Sequence, residues 1–244
     1  MSNHSRASME AKIKNSRDLL ISVAGYDRYK PVSSEIKVDN YREFMDTVES
    51  TMTDLNESRG ALTTAKKENA DMVEALLLTV RAIRYLTAEL KGIDSPEYGQ
   101  VNSIVRQITG ENITRHKKRS EQILKELQEG DPQPDFNSVS GLDVKTRLGK
   151  FRELIGLLKN YSFYTPEDPS LSIASLETMR DELTESLETV AQKETAFTNH
   201  RGKMIEYTKG INGLTDRARR AKLHVKRKYG LSSPQYRALI NKPY

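Results

Sequence analysis

Residues 41–90 read YREFMDTVESTMTDLNESRGALTTAKKENADMVEALLLTVRAIRYLTAEL. Met45, Val48, Met52, Leu55, Leu62, Val73, Leu76, Val80, Ile83 and Leu90 recur along this stretch mostly at steps of three and four. That spacing lines one face of an α-helix. No proline interrupts the run before Pro96. Met179, Leu183, Val190, Phe197, Met204, Ile211, Leu214, Ala218, Ala221 and Val225 repeat the pattern later in the chain. The first stripe turns polar in its middle at Arg59, Lys66 and Asn69, and the second carries Gly202, Gly210 and Gly213 in the matching region. Two shapes satisfy this pattern. One is a kinked helix of about 50 residues, roughly 75 Å long at 1.5 Å per residue. The other is a helical hairpin turning near Asn69 in the first stretch and near 209–213 in the second. Three glycines, each weakening a helix by about 1 kcal/mol, favour a break in the second.

Outward from these stretches the chain repeats itself. Tyr26-Asp-Arg-Tyr29-Lys-Pro31 recurs as Tyr161-Ser-Phe-Tyr164-Thr-Pro166, a shift of 135. Gly92-Ile-Asp-Ser95-Pro96-Glu97-Tyr98 recurs as Gly230-Leu-Ser-Ser233-Pro234-Gln235-Tyr236, a shift of 138. Two motifs in the same order at nearly the same shift indicate a duplication. Each copy opens with a first helix, about 9–25 and 146–160, that the Tyr-x-x-Tyr-x-Pro segment ends, because proline disfavours helix at the residue before it. Asn40 with Glu43, and Ser175 with Glu177, are expected to cap the long element that follows. In Gly-x-x-Ser-Pro the glycine suits a left-handed helix end, the serine an N-cap and the proline a first helical position, so the motif reads as a corner between helices.

These signals predict an all-α fold, a duplicated helical bundle with long helices and a pseudo-two-fold between its halves. Residues 1–8 are expected to be a flexible tail, 9–109 the first repeat and 143–244 the second. Between them, 110–142 is expected to hold a helix near Thr114–Gln128 and a Pro- and acid-rich linker at 129–135. A repeat with a single apolar stripe cannot bury itself, so the copies are expected to pack on each other as one unit, or across a homodimer.

Composition bounds the chemistry. Of 244 residues 30% are charged and 36% apolar, and the chain has no Cys and no Trp. A disulfide framework, a thiolate nucleophile and a Cys zinc site are therefore excluded. No signal peptide or span-length apolar run is recognised, and a cytoplasmic location is expected. His4, His116, His200 and His224 stand far apart with no partner at metal-ligand spacing. No phosphate loop, nucleophile elbow or His-Glu-x-x-His motif is present. No cofactor or metal is expected, and an enzyme ranks third among the functional readings.

Asn199-His-Arg-Gly202, Tyr207, Gly213-Leu214-Thr-Asp216 and Tyr229-Gly230-Leu-Ser-Ser233-Pro234-Gln235-Tyr236 together resemble a group of uncharacterised helical proteins of Bacteroidetes-type bacteria. That group has a Tyr-x-Pro loop before a long helix, a Gly-Leu-Val-Asp step and a Phe/Tyr-Gly-x-x-Ser-Pro-Gln-Tyr end. The similarity is good over 150–240 and looser over 10–100. The chain departs at Thr215, where the group favours Val, and in its many later Arg and Lys residues. The resemblance implies a helical fold and a bacterial origin; the group has no assigned activity, so no site residue is carried over.

Charge is the feature that stands above background. Residues 199–244 hold twelve Lys and Arg against Glu206 and Asp216, while 175–198 and 39–59 are each acidic by four. Acid at a helix start and base at its end complement the helix dipole, and acidic and basic stretches can face each other. The sharper reading makes Arg217, Arg219, Arg220, Lys222, Lys226, Arg227 and Lys228 a phosphate-binding strip, with Arg115, Lys117, Lys118 and Arg119 as a second basic knot. Tyr26, Tyr29, Tyr161 and Tyr164 are a second candidate surface, for a partner, against the plainer reading of core-edge tyrosines with hydroxyls in water. The leading function is a non-enzymatic structural or protein-interaction scaffold with a protein partner or self-association. The alternative is sequence-independent nucleic-acid binding through the basic C-terminal helix.

Overall fold

A computed structural model describes residues 3–111 and 143–240, with side chains from Met9 onward. The described residues are helical, with no strand among them. In chain order they form α1 (Asn3–Ala24), a 3-10 turn (Ser34–Ile36), α2 (Val38–Lys91), α3 (Pro96–Thr109), α4 (Val144–Lys159), a second 3-10 turn (Pro169–Leu171), α5 (Ile173–Lys209), α6 (Leu214–Tyr229) and α7 (Pro234–Ile240). The all-helical bundle read from the periodicity is therefore what the chain forms. The helix expected at 114–128, the linker at 129–135 and the knot Arg115, Lys117, Lys118 and Arg119 lie outside the described residues. The first helix starts at Asn3, inside the segment expected to be a tail. Neither Gly nor Pro occurs before Gly25, so nothing in this segment breaks the helix.

The chain divides into two compact units: residues 1–63 with 192–244, and residues 64–191. Neither coincides with a sequence repeat, and α2 and α5 each give one end to each unit. In the first unit, Leu19, Leu20 and Val23 of α1 and Tyr41, Met45 and Val48 of α2 share a core with Met204 of α5 and Leu214, Ala218, Ala221 and Val225 of α6. In the second, Leu76, Val80 and Ile83 of α2 and Val101, Ile104, Val105 and Ile108 of α3 share a core with Phe151, Leu154, Ile155 and Leu158 of α4 and Leu176 and Leu183 of α5. Each core thus joins the front of one copy to the back of the other. Matching positions carry the same burial: Leu76, Val80, Ile83 and Thr87 lie 138 residues before Leu214, Ala218, Ala221 and Val225, and all eight are buried.

The corner motifs form as their residues require. Gly92 and Gly230 have φ of 86° and 91°, the left-handed region. Ser95 and Ser233 accept from the amides of Tyr98 and Tyr236, each at 3.1 Å, with Pro at the next position. The Tyr-x-x-Tyr-x-Pro segments are also alike. Tyr29 donates its hydroxyl to the Ile36 carbonyl and Tyr164 to that of Leu171, both at 2.8 Å, and each ring is only 7% exposed. These two rings belong to the core, and their hydroxyls tie down the 3-10 turns where water was expected to meet them.

One expectation is corrected and one open alternative is decided. The cap of α5 is Ser172, whose hydroxyl accepts from the Ser175 amide at 3.3 Å, and α2 starts at Val38, ahead of Asn40. The 3-10 turns run directly into these helices and bring their starts three residues earlier. Of the two shapes open to the first stretch, the long helix forms and the hairpin near Asn69 does not: α2 is a single helix of 54 residues, and buried Asn69 donates to Ser186 Oγ at 3.0 Å. Gly60 is its only glycine, too small a cost to break it. The second stretch does break, between Lys209 and Leu214, with Asn212 at φ 60°.

The glycines there differ in what they do. A Cβ on Gly210 would lie 2.5 Å from the Glu206 carbonyl oxygen, whereas one on Gly202, inside α5, meets nothing within 4 Å. Gly202→Ala is expected to stabilise the protein by up to about 1 kcal/mol, and Gly210→Ala to destabilise it by about 1–3 kcal/mol. Urea unfolding of the two variants checks both signs.

Candidate functional surface on the basic helix

Helix α6 carries most of the cations that the sequence singles out. It buries Leu214, Ala218, Ala221 and Val225 in the core of the first unit, and the rest of its circumference decides which charges reach solvent. Lys226, Arg227 and Lys228 occupy its last turn, where cations complement the helix dipole. The seven residues of the expected strip separate into two sets.

Arg217 and Arg220 turn inward. Arg217 Nε donates to the Asn212 carbonyl at 2.6 Å, its Nη1 to the Glu35 carbonyl at 2.5 Å, and its guanidinium lies 3.9 Å over the Phe44 ring. Burial holds its pKa below the usual arginine value. Arg220 donates to Asn212 Oδ1 at 2.7 Å, to Glu35 Oε2 at 3.2 Å, to Asp216 and to the Ser33 hydroxyl. Ser33 in turn donates to Glu35, and this bond, the local backbone and Arg220 pull the Glu35 carboxyl down to about 2. The two arginines therefore pin the left-handed Asn212 and the 33–35 turn, and they are not presented as a phosphate strip. Lys222 is half-buried, with its amine 3.4 Å from the Ile240 carbonyl.

Arg219, Lys226, Arg227 and Lys228 are exposed. Among the described residues none of the four has a carboxylate partner. The acidic stretch 39–59 does not answer them: its Asp46 and Glu49 take Arg17 of α1, at 2.9 and 2.5 Å. Leu223, 61% exposed, stands among these cations on α6. Val32, 89% exposed, lies across a groove of about 300 Å³ lined by Pro31, Val32, Ser33, Ile36, Arg220, Leu223, His224 and Arg227.

His224 forms part of that lining. It is buried, its ring meets Tyr29 edge-on with centroids 5.2 Å apart, and Arg227 Nη2 approaches its Nδ1 at 3.5 Å. Its Nε2 has no hydrogen-bond partner. Burial lowers its pKa below 6.5, and Arg227 and Lys228 lower it further.

The tyrosine candidates do not gather into one surface. Tyr29 and Tyr164 are buried as described. Tyr26 is half-buried, donates to the Gln235 carbonyl at 3.2 Å and packs against the Tyr229 ring at 5.6 Å. Tyr161 bonds Gln100 Oε1 at 2.9 Å and stacks on Phe163. No group of three or more His, Asp or Glu is placed to hold a metal among the described residues. No described helix is long and apolar enough to cross a membrane.

Sequence reasoning missed Ser33, Glu35 and Asn212, and it set His224 aside as an isolated histidine. Asn212-Gly213 is a turn dipeptide and its break was legible. The meeting of Glu35 with Arg217 and Arg220 spans more than 180 positions of sequence, and no local pattern signals it.

The histidine gives a pH prediction. Its folded pKa is depressed, so the neutral ring is favoured in the folded protein and an unfolded chain takes the proton more readily. The stability this contributes is present above about pH 6.5 and is lost as pH falls towards the lower folded value. Leu86 stands 138 positions earlier in the second unit, so His224→Leu introduces a residue that the matching helix accepts. Between about pH 7.5 and 5.5 the wild-type melting temperature is expected to fall further than that of the variant; equal falls would contradict this.

A scan against protein-family models, a search of curated proteins and a search of solved structures find nothing that matches this chain.

Proposed function

We propose that the chain is a non-enzymatic helical scaffold that presents a surface of its first unit to a protein partner in the cytoplasm. The observation that supports this reading is the exposed face of α6. There uncovered Leu223, with Val32 across the groove, stands among cations that lack carboxylate partners within the described residues. An apolar centre rimmed by charge is the composition of a protein-binding patch. We further propose that the two copies arose by duplication, on the strength of the matched Gly-x-x-Ser-Pro corners and tyrosine-pinned turns.

Nucleic-acid binding is the second reading, favoured by the exposure of Arg219, Lys226, Arg227 and Lys228 on one helix. Four phosphate contacts imply an affinity that falls about 100-fold between roughly 50 and 200 mM salt. Fluorescence anisotropy of labelled single- and double-stranded DNA and RNA separates the two. The scaffold reading expects no such steep binding. Tight binding at low salt that is abolished by combining Arg219→Glu, Lys226→Glu and Lys228→Glu would replace it with the nucleic-acid reading.

A further inference from the structure

We infer that the groove between the 31–36 turn and α6 docks a segment of a partner protein carrying a large apolar side chain and a carboxylate. The inference rests on the interaction reading above and names the chemistry of the partner. Pro31, Ile36 and His224 are the buried lining residues, and Val32 and Leu223 are apolar walls left open to solvent. An apolar side chain seated between those walls removes both from water, which is the main driving force available here. Arg220 is already satisfied by Glu35, Ser33, Asp216 and Asn212. Arg227 has only the distant His224 nitrogen, so its guanidinium is free to take a carboxylate in a forked pair. Arg219 and Lys226 extend the positive rim, and a partner of opposite sign is the one that such a rim steers and selects.

The second unit provides an internal control. It builds the same tyrosine-pinned turn beside the same buried helical stripe, yet the groove residues differ there. Glu167 stands at the position of Val32, Ala82 at Arg220, Tyr85 at Leu223, Leu86 at His224 and Glu89 at Arg227. The turn and the helix stripe therefore form without a valine, a histidine or an arginine at these places. The apolar and cationic lining is a property of this groove, and the architecture does not demand it.

The test is selection from a random 12-residue peptide library displayed on phage, using the full chain, with Val32→Glu and Arg227→Glu as comparison proteins. Both substitutions copy residues present at the matching positions of the second unit, and thermal melting verifies that each variant remains folded. Enriched peptides are expected to combine Asp or Glu with a large apolar residue and to lose at least about tenfold in affinity to either variant. Peptides that bind both variants as tightly as the wild type would overturn the groove assignment and leave the interaction reading standing. Failure to enrich any peptide would overturn the assignment as well. If salt-steep oligonucleotide binding accompanied that failure, the interaction reading would fall with it.

Discussion

An amphipathic helix with one apolar stripe gains little by forming alone, since most of its stability comes from covering that stripe. In this chain α1 and α3 supply part of that cover, and the other half of the sequence supplies the rest. The stripe Tyr41, Met45 and Val48 is closed by Met204, Leu214, Ala218 and Val225, while Leu76, Val80 and Ile83 are closed by residues of α4 and α5. The rest of the structure follows from this arrangement. The corners at Gly92 and Gly230 return short helices onto the cores, and Tyr29 and Tyr164 fix the turns that lead into the long helices.

The parts of the fold legible in the sequence are those with local causes. The corner motifs could be read because capping acts within four residues, and the break at 210–213 because Gly210 and Gly213 weaken a helix there, while Gly202, counted with them, lies inside α5. The continuity of α2 was harder to read. Arg59 and Lys66 polarise its stripe, but they sit on the exposed side, and Asn69 finds a partner in Ser186. Periodicity marks most of the buried stripe, although its Leu90 and Ile211 are exposed, and it is silent about what buries the rest. The joining of the front of one copy to the back of the other therefore lay beyond it.

The same limit explains the candidate surface. Helical spacing places 217, 220, 224 and 228 on one face of α6 and 219, 222 and 226 on another. Which face meets solvent depends on the 33–36 turn, some 180 residues earlier. Once that turn is in place, Arg217 and Arg220 become fastenings held by Phe44, Glu35 and Asn212, and the charge free to act shrinks to Arg219, Lys226, Arg227 and Lys228. The open apolar walls at Val32 and Leu223 then weigh the surface toward protein recognition. A strip reading only phosphate has no use for them.

The pairing of the two copies is tested most directly by cutting the chain between Gln128 and Glu129, outside the described residues. The two fragments, alone and in equimolar mixture, are then followed by circular dichroism and sedimentation. Each fragment carries one part of both cores, so neither is expected to unfold cooperatively alone, and mixing should restore a cooperative transition in a one-to-one complex. Two fragments that each fold as stable monomers, and that do not associate, would contradict the account.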